Sequence, residues 1–327
     1  MKIYIAVTDN DWFFYLSNLK PDEVNFWQPG GKQAFKVLKP GELLLFKLHS
    51  PLNYITGGGF FIKYTKLPIS IAWEAFGNKN GVDSLHNFLD KIYKYRKTNP
   101  EQDPDPLIGC ILLSSPFFFN QSDWIPLPPN WPFNAVQGKS YDCSDFIGKK
   151  LYNEVIEKLS YYYNKQTEIS ASPIYNINNQ TEQICETNNK DYHPKYGTPQ
   201  LIYPRLGQGS FRILVTDAYN RRCAFTGEKI LPVLDAAHIK PYSLNGPNTI
   251  NNGLLLRKDF HILFDRGYIT VNEDYVIEVS KKIKEDYGNG KEYYKFHGNK
   301  LIVLPERINE RPSKEFLRWH NENVYLG

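Results

Sequence analysis

The sequence predicts an α+β protein of two modules joined by a polar linker, and three observations predict it. Strand-like apolar runs alternate with short amphipathic helices through residues 1–145. From Gln166 to Lys195 the chain is rich in Asn, Thr, Gln and Glu and shows no apolar periodicity, which is linker composition. Beyond it, Asp235 to Gly267 reads strand, loop, strand and helix in quick succession. The predicted units are a domain at 1–145, a helix and linker at 146–200, and a second domain at 201–327.

Taken in order, Ile3 to Val7 is a strand and Asp9 to Asn18 a short capped helix. A Lys39-Pro40-Gly41-Glu42 turn leads to a strand at Leu43 to Leu48, and Tyr54 to Tyr64 is another, with Gly57, Gly58 and Gly59 inside it. Pro68 to Phe76 and Ser84 to Arg96 are helical, the second placing Leu85, Phe88, Leu89 and Ile92 on one face. Ile108 to Leu113 is a strand, and residues 146–164 are a helix with Leu151, Val155 and Leu159 on its apolar side. Arg205 to Tyr219 reads as a loop and a helix capped by Ser210. After Gly267 come a hairpin (Tyr268 to Val271, Tyr275 to Val279), a helix at Lys281 to Tyr287, a strand at Leu301 to Leu304, and a last helix at Lys314 to Asn323.

The stretch DAAHIKPYSLNGPNTINNGLLLRKDFHILFDRG carries the chemistry. His238 ends an apolar run, Asn252 follows it by 14 residues, and His261 follows Asn252 by 9. The AHIxP core, the NNGLLL strand and the HxxFDxG helix resemble the HNH (ββα-metal) nuclease family, as found in predicted bacterial restriction endonucleases. The resemblance implies a metal-dependent phosphodiesterase. It gives the middle position, Asn252, the task of holding the loop that orients the base, and the third position, His261, the metal.

Residue chemistry fits that reading. A histidine accepts a proton from water near neutral pH, so His238 is the expected base. A divalent cation neutralises the scissile phosphate and the leaving 3′ oxygen. Asp265 shares a helix face with His261 and is an expected second ligand. Many family members carry an acidic or histidine ligand immediately before the base, where this chain has Ala237; Asp235, two residues back, is the expected replacement. This ligand set suits Mg2+ or Mn2+, with Zn2+ or Ni2+ as alternatives. Arg221, Arg222, Lys240, Arg257 and Lys258 cluster in sequence around the stretch and are expected DNA phosphate contacts, as are Arg205 and Arg212.

In the first domain, KPGELLLFKLH followed by YITGGGFF resembles the PUA-like group of small β-barrels that includes EVE, ASCH and YTH domains. Several of that group take one base into an aromatic pocket, which implies a reader of modified bases. Trp27, Asn25, Gln28, Trp12 and Tyr54 are the expected pocket residues, with Gly30 and Gly31 allowing close backbone approach.

Charge and cysteine content narrow the class. The net charge is +4; residues 1–145 hold 14 Lys+Arg and 14 Asp+Glu, so the surplus lies in the half with the histidines. Four cysteines show no CxxC pair, so a four-cysteine zinc staple is excluded and a reduced, cytoplasmic protein is expected. No apolar run reaches membrane-spanning length. The expected partner is double-stranded DNA, and one site cutting two strands suggests a homodimer or sequential nicking. Two other readings stand beside this one: a defence effector whose first domain senses a small nucleotide, and a catalytically inactive DNA-binding module.

Overall fold

Alternating apolar residues in the first half build a sheet with two buried faces. The structure, a computed structural model, describes residues 1–30, 34–132, 134–170 and 206–327, without the side chains of 163–170. The expected linker from Gln166, and Gly31 and Arg205, lie wholly or largely outside the described residues. The elements are β1 (Lys2–Thr8), α1 (Asn10–Leu19), β2 (Glu23–Gln28), β3 (Leu43–Leu48), β4 (Tyr54–Pro68), α2 (Ile69–Phe76), α3 (Leu85–Arg96), β5 (Leu107–Phe118), β6 (Ile125–Pro126), β7 (Gly138–Asp142) and α4 (Phe146–Ser170). They continue with α5 (Gln208–Ala218), β8 (Leu234–His238), β9 (Gly253–Arg257), α6 (Lys258–Asp265), β10 (Ile269–Val271), β11 (Ile277–Val279), α7 (Lys282–Tyr287), α8 (Lys291–Tyr294) and α9 (Lys314–Asn323).

The first sheet runs β2-β5-β4-β3-β1-β7, with β6 added on β4; β1 and β3 are parallel and the other pairs antiparallel. Its end strands β2 and β7 are not paired with each other, so the described strands form an open path rather than the closed barrel expected from sequence. Two register shifts bend β4 against β5. The glycine run sits at the bend: a Cβ on Gly57 would stand 2.2 Å from the Phe117 carbonyl oxygen, and one on Gly58 2.6 Å from that of Leu44. Leu44, Phe46 and Leu48 point to one face, which α1, α2 and α3 cover. Leu43 and Leu45 point to the other, covered by Leu151, Val155 and Leu159 of α4.

The second core gathers around β8, β9 and α6, with Leu254, Leu255, Leu256, Phe260 and Phe264 fully buried. Helix α5 belongs to both halves. Ile213 enters the first core, while Phe211, Val215 and Tyr219 enter the second. Ser210 does not cap it: Gly207 holds that position. The carboxylate of Glu23, fully buried on β2, accepts from the N–H groups of Gly209 (2.8 Å) and Ser210 (2.9 Å) instead. Lys63 pairs with Asp217 at 2.8 Å, and Arg221 donates to the Lys66 carbonyl at 2.9 Å. The sequence expects a tether that lets the two modules sit apart on DNA; here they are docked through α5. Leu301 to Leu304 is not a strand: the Leu301 N–H goes to the Tyr275 carbonyl, while those of Ile302 and Val303 both go to the Ala224 carbonyl, which is not a ladder. Among the described residues no helix is long and apolar enough to cross a membrane.

Candidate active site

The β8–β9 hairpin sets His238 opposite Gly253. A Cβ on Gly253 would lie 2.5 Å from Val215 Cγ2 and 3.0 Å from Phe211 Cζ. Its absence lets α5 close on the hairpin, and the Phe211 ring stacks on the His238 imidazole with centroids 3.8 Å apart and planes 12° from parallel. Helix α6 follows β9 directly. Its Phe260 and Phe264 face the core, which turns His261 and Asp265 together to a neighbouring face. Gly267, at φ +75°, ends the helix where a side chain would be strained.

The tautomer of His238 follows from its neighbours. Nε2 lies 2.8 Å from Asn248 Oδ1, and Asn248 Nδ2 donates to the Leu206 carbonyl at 2.8 Å. That second bond orients the amide so that Oδ1 can only accept. His238 therefore carries its proton on Nε2 and keeps Nδ1 bare. Burial holds its pKa below the ordinary histidine value, outweighing the bond to Asn248, so the ring is neutral at neutral pH.

Asn252 is fully buried and clamps the loop between the two strands. Its Nδ2 donates to the Lys240 and Pro247 carbonyls and its Oδ1 accepts from Lys240 N–H, all at 2.9 Å. Its own carbonyl accepts from Ile239 N–H, the residue after His238.

His261 stands between two carboxylates. Asp235 Oδ2 is 3.1 Å from Nδ1, and Asp265 Oδ2 is 3.3 Å from Nε2. Burial works against the charge on His261, but hydrogen bonds and charge from Asp235 and Asp265 outweigh it and raise its pKa to about 9. Without a cation the ring is thus protonated and doubly paired at neutral pH, and a cation at Nε2 would have to displace the proton there. Asp235 stays below the usual carboxylate range: burial pushes it up, and the His261 bond and the Arg212 charge push it down by more.

The donor set fits a hard divalent cation in a limited way. Among the described residues no three His, Cys, Asp or Glu side chains converge as a metal cluster. Nε2 of His261 and Oδ2 of Asp265 are spaced as two neighbouring ligands of one ion would be. Asp235, expected from sequence as a direct ligand, is on the opposite ring nitrogen, where it orients the histidine from behind. Two protein donors with water and phosphate oxygens completing the shell is how Mg2+ is commonly held. His238, His261 and Asp265 line a single cleft of about 530 Å3, together with Gln208, Tyr242 and Ser243.

The other sequence candidates are placed unevenly. Arg221 is spent on Asp217, Thr65 and the Lys66 carbonyl at the module junction. Arg257 grips Asp259 through Nε at 2.7 Å and Nη2 at 2.6 Å. Lys240 lies over the Trp319 ring, Arg222 is half-buried, and Lys258 is exposed on the first turn of α6. Trp12, Asn25 and Trp27 are core residues in this arrangement. Trp12 packs edge-on against Phe26 and Phe46, Asn25 donates to Asn80 Oδ1, and Trp27 Nε1 donates to the Asn80 carbonyl. Gln28 is half-buried, and Tyr54 is exposed beside Trp124. Sequence reasoning missed Asn248, which no spacing rule marks, and Phe211, which reads only as a helix core position.

Comparison with known proteins adds one match at the site. Among solved structures the chain is similar to one described as "Modification dependent TagI restriction endonuclease", with a TM-score of 0.26 and 12% identity over 93% of this chain and 75% of that one. No curated protein matches the chain. Residues 223–272, however, match the family model described as HNH endonuclease. The stretch that carries His238, Asn252 and His261 is an HNH endonuclease domain, and the protein is a nuclease.

Proposed function

We propose that the protein is a divalent-metal-dependent DNA endonuclease of restriction type, in which His238 is the general base. The observation that carries this is the pairing of a neutral His238, with Nδ1 bare, and the His261–Asp265 pair on the walls of one cleft. His238 Nδ1 accepts the proton of the attacking water. Asn248 holds the ring so that the proton already on Nε2 stays there. Asn252 fixes the loop on which the base stands. Nε2 of His261 and Oδ2 of Asp265 would hold Mg2+ or Mn2+, while Asp235 keeps the ring turned. When bound, the cation supplies charge neutralisation at the scissile phosphate and the leaving oxygen. Lys240 and Lys258 are the basic residues best placed for neighbouring phosphates.

Residues 1–145 are assigned the role of a PUA-like reader of a modified base, on the strength of the KPGELLLFKLH and YITGGGFF strands that lie adjacent as β3 and β4. With Trp12, Asn25 and Trp27 buried, Tyr54 and Trp124 are the aromatic pair left open to a ligand. Binding of methylated and unmethylated duplexes with equal affinity rejects the modified-base reading.

The nuclease mechanism is tested by plasmid cleavage with Mg2+, Mn2+ or chelator. His238→Ala is expected to lower kcat by about 10²–10⁴-fold, the usual contribution of a general base. Cutting at the wild-type rate in that variant rejects the assigned base.

A further inference from the structure

Arg212 sits on α5 between the two modules, and its side chain is 19% exposed. Its Nη2 donates to Glu74 Oε2 at 2.7 Å, and its Nη1 reaches the Glu74 carbonyl at 3.4 Å. On the other side its Nε faces Asp235 Oδ1 at 3.5 Å. The second oxygen of Asp235 is the one that meets Nδ1 of His261. We propose that Arg212 is a positioning residue for the cation site: anchored by Glu74 of the N-terminal module, it holds Asp235 so that Asp235 keeps the His261 ring turned with Nε2 toward Asp265.

Geometry and side-chain chemistry both support this. A carboxylate on the far nitrogen of a ligating histidine fixes both its tautomer and its ring angle. That service requires the carboxylate itself to be held. Asp235 has one local restraint, the Ala236 N–H at 3.0 Å on Oδ1. Arg212 adds a second, on the same oxygen, and leaves Oδ2 to the histidine. A guanidinium suits this place because it is planar, permanently charged and presents donors in several directions at once. It faces Glu74 and Asp235 together, which the single ammonium of a lysine does poorly. The line of contacts Glu74–Arg212–Asp235–His261–Asp265 therefore starts in the N-terminal module and ends at the two side chains proposed to hold the cation. The nuclease site is completed by a residue that belongs to the other half of the chain.

The inference rests on the nuclease reading for the identity of the cation, so its test reads the metal directly. Full-length protein is titrated with Mn2+ and the bound ion counted by electron paramagnetic resonance. The set is wild type, Arg212→Ala, Asp235→Asn and the double variant, with Glu74→Gln alongside because it removes the anchor while leaving Arg212 in place. Arg212→Ala is expected to weaken Mn2+ binding about tenfold, as loss of an outer partner of a metal histidine does. Glu74→Gln is expected to weaken it in the same direction by less. In the Asp235→Asn background, Arg212→Ala is expected to add less than about twofold, because residues acting through one another are not additive. In cleavage assays kcat falls while KM for DNA stays constant. An equal loss in the Asp235→Asn background, unchanged Mn2+ affinity, or tighter Mn2+ binding overturns the inference. Wild-type protein that binds Mn2+ in the expected pattern yet leaves plasmid intact overturns the nuclease reading alone. Wild-type protein that binds no Mn2+ overturns both.

Discussion

The proton on His238 is placed by the amide of Asn248, ten residues further along the chain at a position the His-Asn-His spacing does not mark. Asn248 accepts from Nε2 because the bond from its amide nitrogen to the Leu206 carbonyl turns its oxygen toward the ring. Asn248→Ala frees the ring and leaves the metal side untouched. It is expected to lower kcat by about tenfold or more, the size of effect seen when a reacting group loses its alignment, with Mn2+ affinity constant. Stopped assays at saturating DNA, paired with Mn2+ titration, measure both. At this scale the sequence was legible where chemistry restricts the residue type. His238, His261 and Asp265 stand in the stretch that spacing marked, and the structure gathers them on one cleft. It was illegible where a common residue takes a special role through a contact distant in the chain. Asn248, Phe211 and Arg212 are ordinary in sequence, and only the docking of α5 gives them their partners. The converse holds for Trp12, Asn25 and Trp27: aromatic and amide residues near glycines suggest a pocket, but a small sheet needs the same residues to fill its interior.

Two elements carry most of the site's shape. The first is the β8–β9 hairpin, whose closeness to α5 depends on Gly253. Gly253→Ala pushes a methyl against Val215 and Phe211. It is expected to cost about 1–3 kcal/mol by overpacking, read from urea unfolding, and to disturb the Phe211–His238 stack. The second is α6, which α9 holds in place through a second histidine. His320 is buried, with Nε2 on the Phe264 carbonyl at 3.1 Å and Nδ1 on Thr270 Oγ1 at 2.8 Å, and its ring stacks on Phe264. Burial lowers its pKa from 6.5 to about 4, against the opposing pull of the Phe264 carbonyl. Between those values the unfolded chain takes up a proton that the folded chain refuses. Stability is therefore full above pH 6.5 and falls as pH drops toward 4, by up to about 3 kcal/mol from this group. Urea unfolding at pH 7 and pH 4.5 measures the loss, and His320→Gln is expected to remove that part of the pH dependence. The hairpin, α6 and α9 were all readable from apolar spacing and turn residues. Leu301 to Leu304 has the same strand-like composition without a strand neighbour, and its backbone donors are met by Tyr275 and Ala224 instead.

At the scale of the whole molecule, the deciding feature is a buried carboxylate. Glu23 lies on β2 with no exposure, receives two N–H groups from the start of α5, and is 3.2 Å from Lys79 Nζ. Removing one member of such a group strands the others without water. Glu23→Ala is expected to lower the unfolding free energy by about 3–5 kcal/mol, seen in urea unfolding by both fluorescence and circular dichroism. The sequence could announce two modules because their compositions differ and a polar stretch separates them. It could not announce their junction, since Glu23 and Ser210 stand 187 residues apart. Helix α5 has a consequence for lineage as well as for folding. A recombination event that swaps cutting halves between related proteins must choose where to break the gene, and a break after residue 219 leaves each half with a stranger's seam. Successful chimeras should inherit residues 206–219 together with both of their neighbours, or not survive as enzymes.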